Sequence, residues 1–245
     1  MLTNNEIKFI KSLNHKKNRD SNSLFLVEGD KIINELISSD FRIKKIYGTY
    51  NWYEENSSII NEDLFCKVSP KELSRISNLK SPNNVLAIVN KKNLELEQSD
   101  LTGLTLVLDS INDPGNLGTI IRSCHWFNIK NIICSENTVD MYNSKVIQST
   151  MGSIFNVNIF YTELTSFLND CSNNHTIYGS FLDGDDIKKI KINSNTLLVI
   201  GSESHGISNS IVNKIHKKVT IKGKSEEINS LNVATATSIM LYEFC

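Results

Sequence analysis

A chain of 245 residues, 40% hydrophobic and 22% charged, can bury one large core or two modest ones, and its formal net charge of −1 supplies no global basic field. No apolar run reaches the ~18 residues of a membrane-spanning helix, and the opening MLTNNE lacks the apolar stretch of a signal peptide. Five scattered cysteines (Cys66, Cys124, Cys134, Cys171, Cys245) with no Cys-x-x-Cys pair argue against a disulfide framework or zinc site and point to a reducing cytoplasm.

In chain order, residues 3–13 read as a short helix with Ile7, Ile10 and Leu13 inward, and 14–23 as a polar, basic loop. Lys8, Lys11, Lys16, Lys17 and Arg19 form a run with no acid among them, which suits either a solvated face or a phosphate-contacting arm. A strand at 24–27, a helix at 30–38 and strands at 43–50 and 65–68 follow. Ser69, Pro70 and Glu72 spell a capped helix start, and 85–89 is a further strand. Residues 1–90 therefore read as a small α/β domain, 91–103 as a charged linker, and 104–245 as a second domain.

The second domain opens with a buried strand at 104–108, a polar turn from Asp109 that contains Asn112-Asp-Pro-Gly, and a helix whose apolar stripe holds Ile120, Ile121, Cys124 and Phe127. Strands at 131–134, 157–160, 176–181 and 196–200 alternate with helices at 144–151, 164–169 and 208–215. A short strand at 218–221 precedes a final helix to Glu243, with Ser230 as the expected N-cap. This alternation predicts a largely parallel sheet covered on both faces, with ligands at its carboxyl edge.

Gly201-Ser-Glu-Ser-His-Gly206 again follows a buried strand and matches neither Gly-x-Gly-x-x-Gly nor Gly-x-x-x-x-Gly-Lys. Without the glycine fingerprint and its downstream acid, a nucleotide-dependent dehydrogenase is disfavoured. Adjacent residues rarely point at one another, so Ser204 and His205 are not expected to form a hydrolytic dyad. No His or Cys spacing suits a metal, and none is expected.

Taken together, Asn112 to Arg122 (NDPGNLGTIIR), Leu198 to Ile207 (LVIGSESHGI) and Ser230 to Ala234 (SLNVA) resemble, in order and spacing, the three motifs of the SPOUT superfamily, and within it the SpoU (TrmH-like) RNA 2′-O-ribose methyltransferases. Residues 25–29 (FLVEG) and 82–87 (PNNVLA) are more loosely similar to the L30e-like RNA-binding domain that many members carry. The resemblance implies a trefoil-knotted C-terminal α/β domain, a smaller N-terminal L30e-like domain and a homodimer. It also implies S-adenosylmethionine bound by Gly201, Ile221 and Leu231, with Ser230 and Asn232 nearby. Arg122, Asn116, Glu203 and Ser230 become the expected catalytic set, with Asn116 and Glu203 holding Arg122. Ser204 and Lys222 depart from the family's usual glycine and proline.

The expected substrate is RNA, ribosomal before transfer RNA, contacted by Lys8, Lys11, Lys16, Lys17 and Arg19. Lys214, Lys217, Lys218, Lys222 and Lys224 form a second cationic cluster. The alternative is a non-catalytic RNA-binding or ribosome-assembly protein on the same scaffold.

Overall fold

The computed structural model describes residues 2–97, 101–192, 195–225 and 227–245, and these fall into two compact units. Unit 1 comprises residues 1–93 and 142–156, and unit 2 comprises 94–141 and 157–245. The expected linker at 91–103 is described only in part, since 98–100 lie outside the described residues.

Unit 1 holds β1 (Leu24–Glu28), β2 (Ile43–Gly48), β3 (Phe65–Lys67) and β4 (Val85–Asn90) in the order β1-β4-β2-β3. β4 runs antiparallel to β1 and β2, while β2 and β3 are parallel, so the carboxyl ends of β1, β2 and β3 share one edge. Around the sheet lie α1 (Asn4–Ser12), α2 (Lys16–Asn22), α3 (Asp30–Ile37), α4 (Tyr50–Asn56) and α5 (Pro70–Ile76). Thr3–Glu6 and Ser69–Glu72 close full capping boxes at α1 and α5. Glu72 also accepts from Leu2 N, and these backbone donors pull its carboxyl down to about 2. Lys91 pairs with Asp20 and Lys92 with Asp40, which fixes the start of the expected linker on this unit.

The reading of 14–23 as a loop is corrected, because residues 16–22 are helical. Arg19 supplies the reason. It is only 3% exposed, and its guanidinium donates to Leu13 O (3.0 Å) and Asn14 O (2.8 Å), the orphan carbonyls at the end of α1. Ser23 then ends α2 in the left-handed conformation at φ 52°. Arg19 is therefore a structural tie and not a surface cation. Lys8, Lys11, Lys16 and Lys17 remain exposed, with Lys16 paired to Asp20 at 2.7 Å.

Residues 142–156, which the sequence reading assigned to the second domain, pack within unit 1. Tyr142 meets Phe25 at 4.4 Å between ring centroids, and Phe155 meets Phe41 at 5.2 Å. Gln148, on α7 (Ser144–Thr150), donates to Glu28 O at 2.8 Å. The Glu28 carboxyl is buried, which raises its pKa, and it accepts from Ser77 Oγ (2.5 Å) and Asn78 N (3.0 Å).

Unit 2 is a six-stranded sheet, order β10-β8-β9-β5-β6-β7, with every neighbouring pair parallel. Its strands are β5 (Gly103–Leu108), β6 (Asn131–Ser135), β7 (Asn158–Thr162), β8 (Thr176–Asp186), β9 (Asn195–Ile200) and β10 (Lys217–Thr220). The central strands read as continuous apolar runs because both faces are covered: Leu106, Val107, Leu108, Ile132, Ile133, Leu197, Leu198 and Val199 have no exposed surface. The helices are α6 (Pro114–Trp126), α8 (Leu164–Cys171), α9 (Asn209–Val212) and α10 (Val233–Phe244). No helix among the described residues is long and apolar enough to cross a membrane.

Two expectations shift in this unit. β8 runs to Asp186 and not 181, because β10 pairs with it twice. Lys218 faces Gly179 and Val219 faces Asp185, so residues 180–184 leave the ladder as an excursion. The last helix starts at Val233 and not just after Ser230.

Candidate active site

All six strands of unit 2 run the same way, so the turns after β5, β9 and β10 leave one edge of the sheet. The three sequence motifs are these turns and the helix starts beyond them. Asp109 joins the first two. Its buried carboxylate accepts from Ser208 N at 2.7 Å, and its own N–H donates to Ile200 O at 2.9 Å. The sequence reading gave Asp109 only a turn role, although a carboxylate ending a buried strand must find donors or stay unsatisfied.

After Asp109, Asp113 caps α6 by accepting from Asn116 N (2.8 Å), with Pro114 in the first turn. Asn116 is thereby held at the start of α6, half-buried. In the second motif, Ser202 and Gly206 bond to each other in both directions (3.0 and 2.9 Å), and Gly206 takes a left-handed φ of 68°. This closes a tight loop over Gly201 and leaves Glu203 exposed within it. In the third motif, Asn232 and not Ser230 caps α10, accepting from Ala234 N (3.0 Å) and Thr235 N (3.2 Å).

One residue from each motif then meets the others. Asn116 Nδ2 donates to Glu203 Oε1, and Asn232 Nδ2 donates to Asn116 Oδ1 (3.0 Å) and to Glu203 Oε1 (3.4 Å). Asn232 is the hinge of the arrangement: its oxygen is spent on the helix cap and its nitrogen on the cluster. Glu203 Oε2 has no partner among the described residues.

Arg122 stands apart from this cluster. It is exposed and forms no hydrogen bond or ion pair among the described residues, so Asn116 and Glu203 do not hold it as expected. Six positions at 3.6 residues per turn place it about 120° around α6 from Asn116. Ser230 is likewise exposed and makes no hydrogen bond among the described residues, and its expected capping role belongs to Asn232.

The expected cofactor residues lie in the same turns. Gly201 is buried, Ile221 is half-buried at the end of β10, and Leu231 is 47% exposed. The β8 excursion leaves Leu182 exposed, and Thr220 Oγ1 donates to Leu182 O at 3.3 Å. Leu182 and Leu231 are both uncovered, and Leu231 adjoins polar Asn232 in the chain. Apolar surface beside a few fixed polar groups fits a nucleoside-bearing cofactor. Leu182 went unseen in the sequence because GSFLDGDD reads as the end of a strand.

Other candidate groups do not join the site. Ser204 Oγ and His205 Nδ1 do bond, at 2.7 Å, contrary to expectation, but no carboxylate among the described residues orients the other imidazole nitrogen, so the pair is a loop contact and not a triad. Of the second cationic cluster, Lys218 pairs with Asp183 at 3.2 Å and Lys217 lies 5.7 Å from the Tyr178 ring centre. Cys124 and Cys134 are fully buried thiols whose pKa values burial raises, which removes them as nucleophiles. A cavity of about 300 Å³, lined by Gly103, Asn131 and Cys245 among others, lies at the amino ends of β5 and β6, the opposite edge of the sheet.

Fold and site together define an α/β protein with three loops tied by side-chain amides at the carboxyl edge of a parallel sheet. A family model described as the SpoU rRNA Methylase family matches residues 103–242, and one described as an MRM3-like substrate binding domain matches residues 4–87. The chain is 26% identical over 248 residues to the 23S rRNA (guanosine(2553)-2'-O)-methyltransferase RlmP of Bacillus subtilis, covering 98% of this chain and 95% of that one. The structure of a TrmH-family protein from Porphyromonas gingivalis matches with a TM-score of 0.90 at 31% identity, covering 100% of this chain and 98% of that one. An AdoMet-bound rRNA methyltransferase from Sinorhizobium meliloti matches with a TM-score of 0.86 at 27% identity, covering 99% and 95%. The chain belongs to the SpoU rRNA methylase family.

Proposed function

We propose that the chain is an S-adenosylmethionine-dependent RNA 2′-O-ribose methyltransferase acting on ribosomal RNA. The observation that carries this is the Asn116–Glu203–Asn232 cluster, drawn from three separate motifs to one sheet edge. The named activities of the Bacillus subtilis and Sinorhizobium meliloti relatives support the reaction and the substrate class.

When bound, S-adenosylmethionine supplies a methyl group on a sulfonium whose leaving thioether is neutral, so the chain needs no acid for departure. Gly201, Ile221 and Leu231 hold the cofactor largely through backbone groups, with Ser230 and Asn232 beside them. Glu203 holds the ribose in place with its open Oε2, and Asn116 fixes the carboxylate. Alignment of this kind supplies ~7–11 kcal/mol of such a barrier. Arg122 grips the target phosphate with its fork and stabilises developing negative charge. A guanidinium does not deprotonate, so the proton leaves through that phosphate or a water.

In this reading residues 1–90 are an L30e-like RNA-binding domain, 91–103 a linker and 104–245 a trefoil-knotted catalytic domain, in a cytoplasmic homodimer. Lys8, Lys11, Lys16 and Lys17 contact phosphates. The dimer is supported by the α6–α10 surface. Ser123 and Ser238 bond across it at 2.8 Å, yet Trp126 and Tyr242 remain 84% and 71% exposed. Trp126 lies one turn beyond Arg122, so a second copy covering these rings brings a partner to the otherwise unheld arginine.

Calorimetry with S-adenosylmethionine, followed by methyl transfer to a 23S rRNA transcript, tests the proposal. Binding with transfer to ribose is expected; no heat of binding turns the case to a non-catalytic RNA binder.

Asn232 gives a sharper check on the cluster. Asn232→Ser keeps a capping oxygen, whereas Asn232→Ala loses the cap at a cost of about 1 kcal/mol. Both remove the amide that ties α10 to Asn116 and Glu203. Thermal unfolding is therefore expected to separate the two variants, while methyl transfer drops by roughly tenfold or more in both. Full activity in Asn232→Ser would mean that the amide link has no catalytic role.

A further inference from the structure

Unit 1 carries a second edge whose chemistry the cations of α1 and α2 do not explain. The carboxyl ends of β1, β2 and β3 meet the start of β4 there, tied by Gly29 N to Val85 O (3.2 Å), Thr49 N to Asn84 O (2.9 Å) and Val68 N to Gly48 O (2.9 Å). Asn14 and Asn78 bond amide to amide and bring the α1–α2 corner to the same edge.

Four exposed lysines leave this edge: Lys31 after β1, Lys67 at the end of β3, Lys71 in the first turn of α5, and Lys80 in the segment before β4. None pairs with a carboxylate among the described residues. Of the acids nearby, Glu28 is buried against Ser77 and Asn78 and Glu72 holds its capping box, while Glu54 and Glu55 on α4 are exposed. Tyr50 itself is half exposed, with Lys67 Nζ 3.8 Å from its ring centre.

Three buried side-chain polar atoms lack partners among the described residues, and two of them sit in the turns at this edge: Asp30 Oδ1 and Trp52 Nε1. Trp52 is only 3% exposed, so its N–H is an orphan donor in the element that presents Tyr50.

We infer that this edge binds a single-stranded segment of the RNA substrate, with Tyr50 as a stacking platform for one base and Lys67 as its cationic partner. An aromatic face beside a lysine, flanked by further unpaired lysines, is the combination that takes unpaired nucleotides without reading their sequence. A negatively charged protein segment has no use for the ring. The inference rests on the proposed function and is supported by the match of residues 4–87 to a family model described as substrate-binding. It moves the main RNA contact of unit 1 from the Lys8–Lys17 run to the sheet edge, where Asn14 joins the two.

Filter binding of an in vitro 23S rRNA transcript to the full chain and its variants tests this. Tyr50→Ala is expected to weaken binding roughly tenfold, and Tyr50→Phe, which keeps the ring, to bind like the original chain. Lys67→Gln is expected to lower the salt slope of binding by about one unit. Cofactor binding is expected to stay unchanged in all three. Tyr50→Ala binding within about twofold of the original overturns the inference, as does equal weakening in Tyr50→Phe. Failure of the unaltered chain to bind S-adenosylmethionine or transfer methyl overturns the functional proposal instead, and leaves the RNA-binding comparison readable.

Discussion

Arg122→Lys is expected to lower the turnover of methyl transfer by about 10²–10³-fold while leaving S-adenosylmethionine affinity unchanged. The magnitude follows from what the side chain has to do. Arg122 projects from α6 with no hydrogen bond or ion pair of its own among the described residues, and none of these orients it before substrate arrives. Its order comes from the phosphate it grips, and only a planar fork makes two parallel bonds to one phosphate. Lysine keeps the charge but presents a compact, strongly hydrated point cation. Long-range attraction to RNA then survives, and positioning does not. Steady-state kinetics therefore show a large fall in kcat and a small change in KM for RNA. Turnover within a few-fold of the original would mean that charge alone suffices and that the bidentate role is wrong.

The parts of this site that the sequence made legible are those fixed by local chemistry. A polar, glycine-bearing turn after a buried strand places its residues at a sheet edge wherever the strand runs in a parallel sheet, so the position of Asn116, Gly201 and Glu203 at that edge was readable without coordinates, while their expected roles come from the resemblance. What escaped depends on contacts far apart in the chain. Ser230 and Asn232 are equally good helix caps by residue type. The choice is made by Asn116, 116 positions away, which accepts the Asn232 amide and fixes its rotamer. α2 escaped because KKNRDSN has no apolar period, and the helix forms around one buried guanidinium that ends the preceding helix. The packing of residues 142–156 escaped the sequence because their partners are Phe25, Phe41 and Glu28, more than a hundred positions earlier. The shared feature is that tertiary hydrogen bonds and ring contacts override patterning at element ends, where propensity is weakest.

Gly201→Ala is expected to be the most damaging single-methyl change in unit 2. An added Cβ at Gly201 would stand 2.0 Å from Gly206 C and 2.2 Å from Ile207 N. Both are main-chain atoms, so no side-chain rotation relieves the overlap. The Ser202–Gly206 bridge has to open, and with it goes the placement of Glu203. Overpacking of a well-packed interior costs ~1–3 kcal/mol, and a main-chain clash this close belongs at or above the top of that range. A loss of about 3 kcal/mol lowers Tm by roughly 6–12 °C in a chain of this length. S-adenosylmethionine affinity is expected to fall below calorimetric detection, since the loop that Gly201 opens is part of the proposed cofactor wall. Gly223→Ala is the matched control, because its Cβ meets only Ser225 O at 3.9 Å. That substitution is expected to change stability by less than about 0.5 kcal/mol. If both variants melt and bind alike, close main-chain approach at Gly201 is not what shapes the loop, and Glu203 is positioned by its amide partners alone.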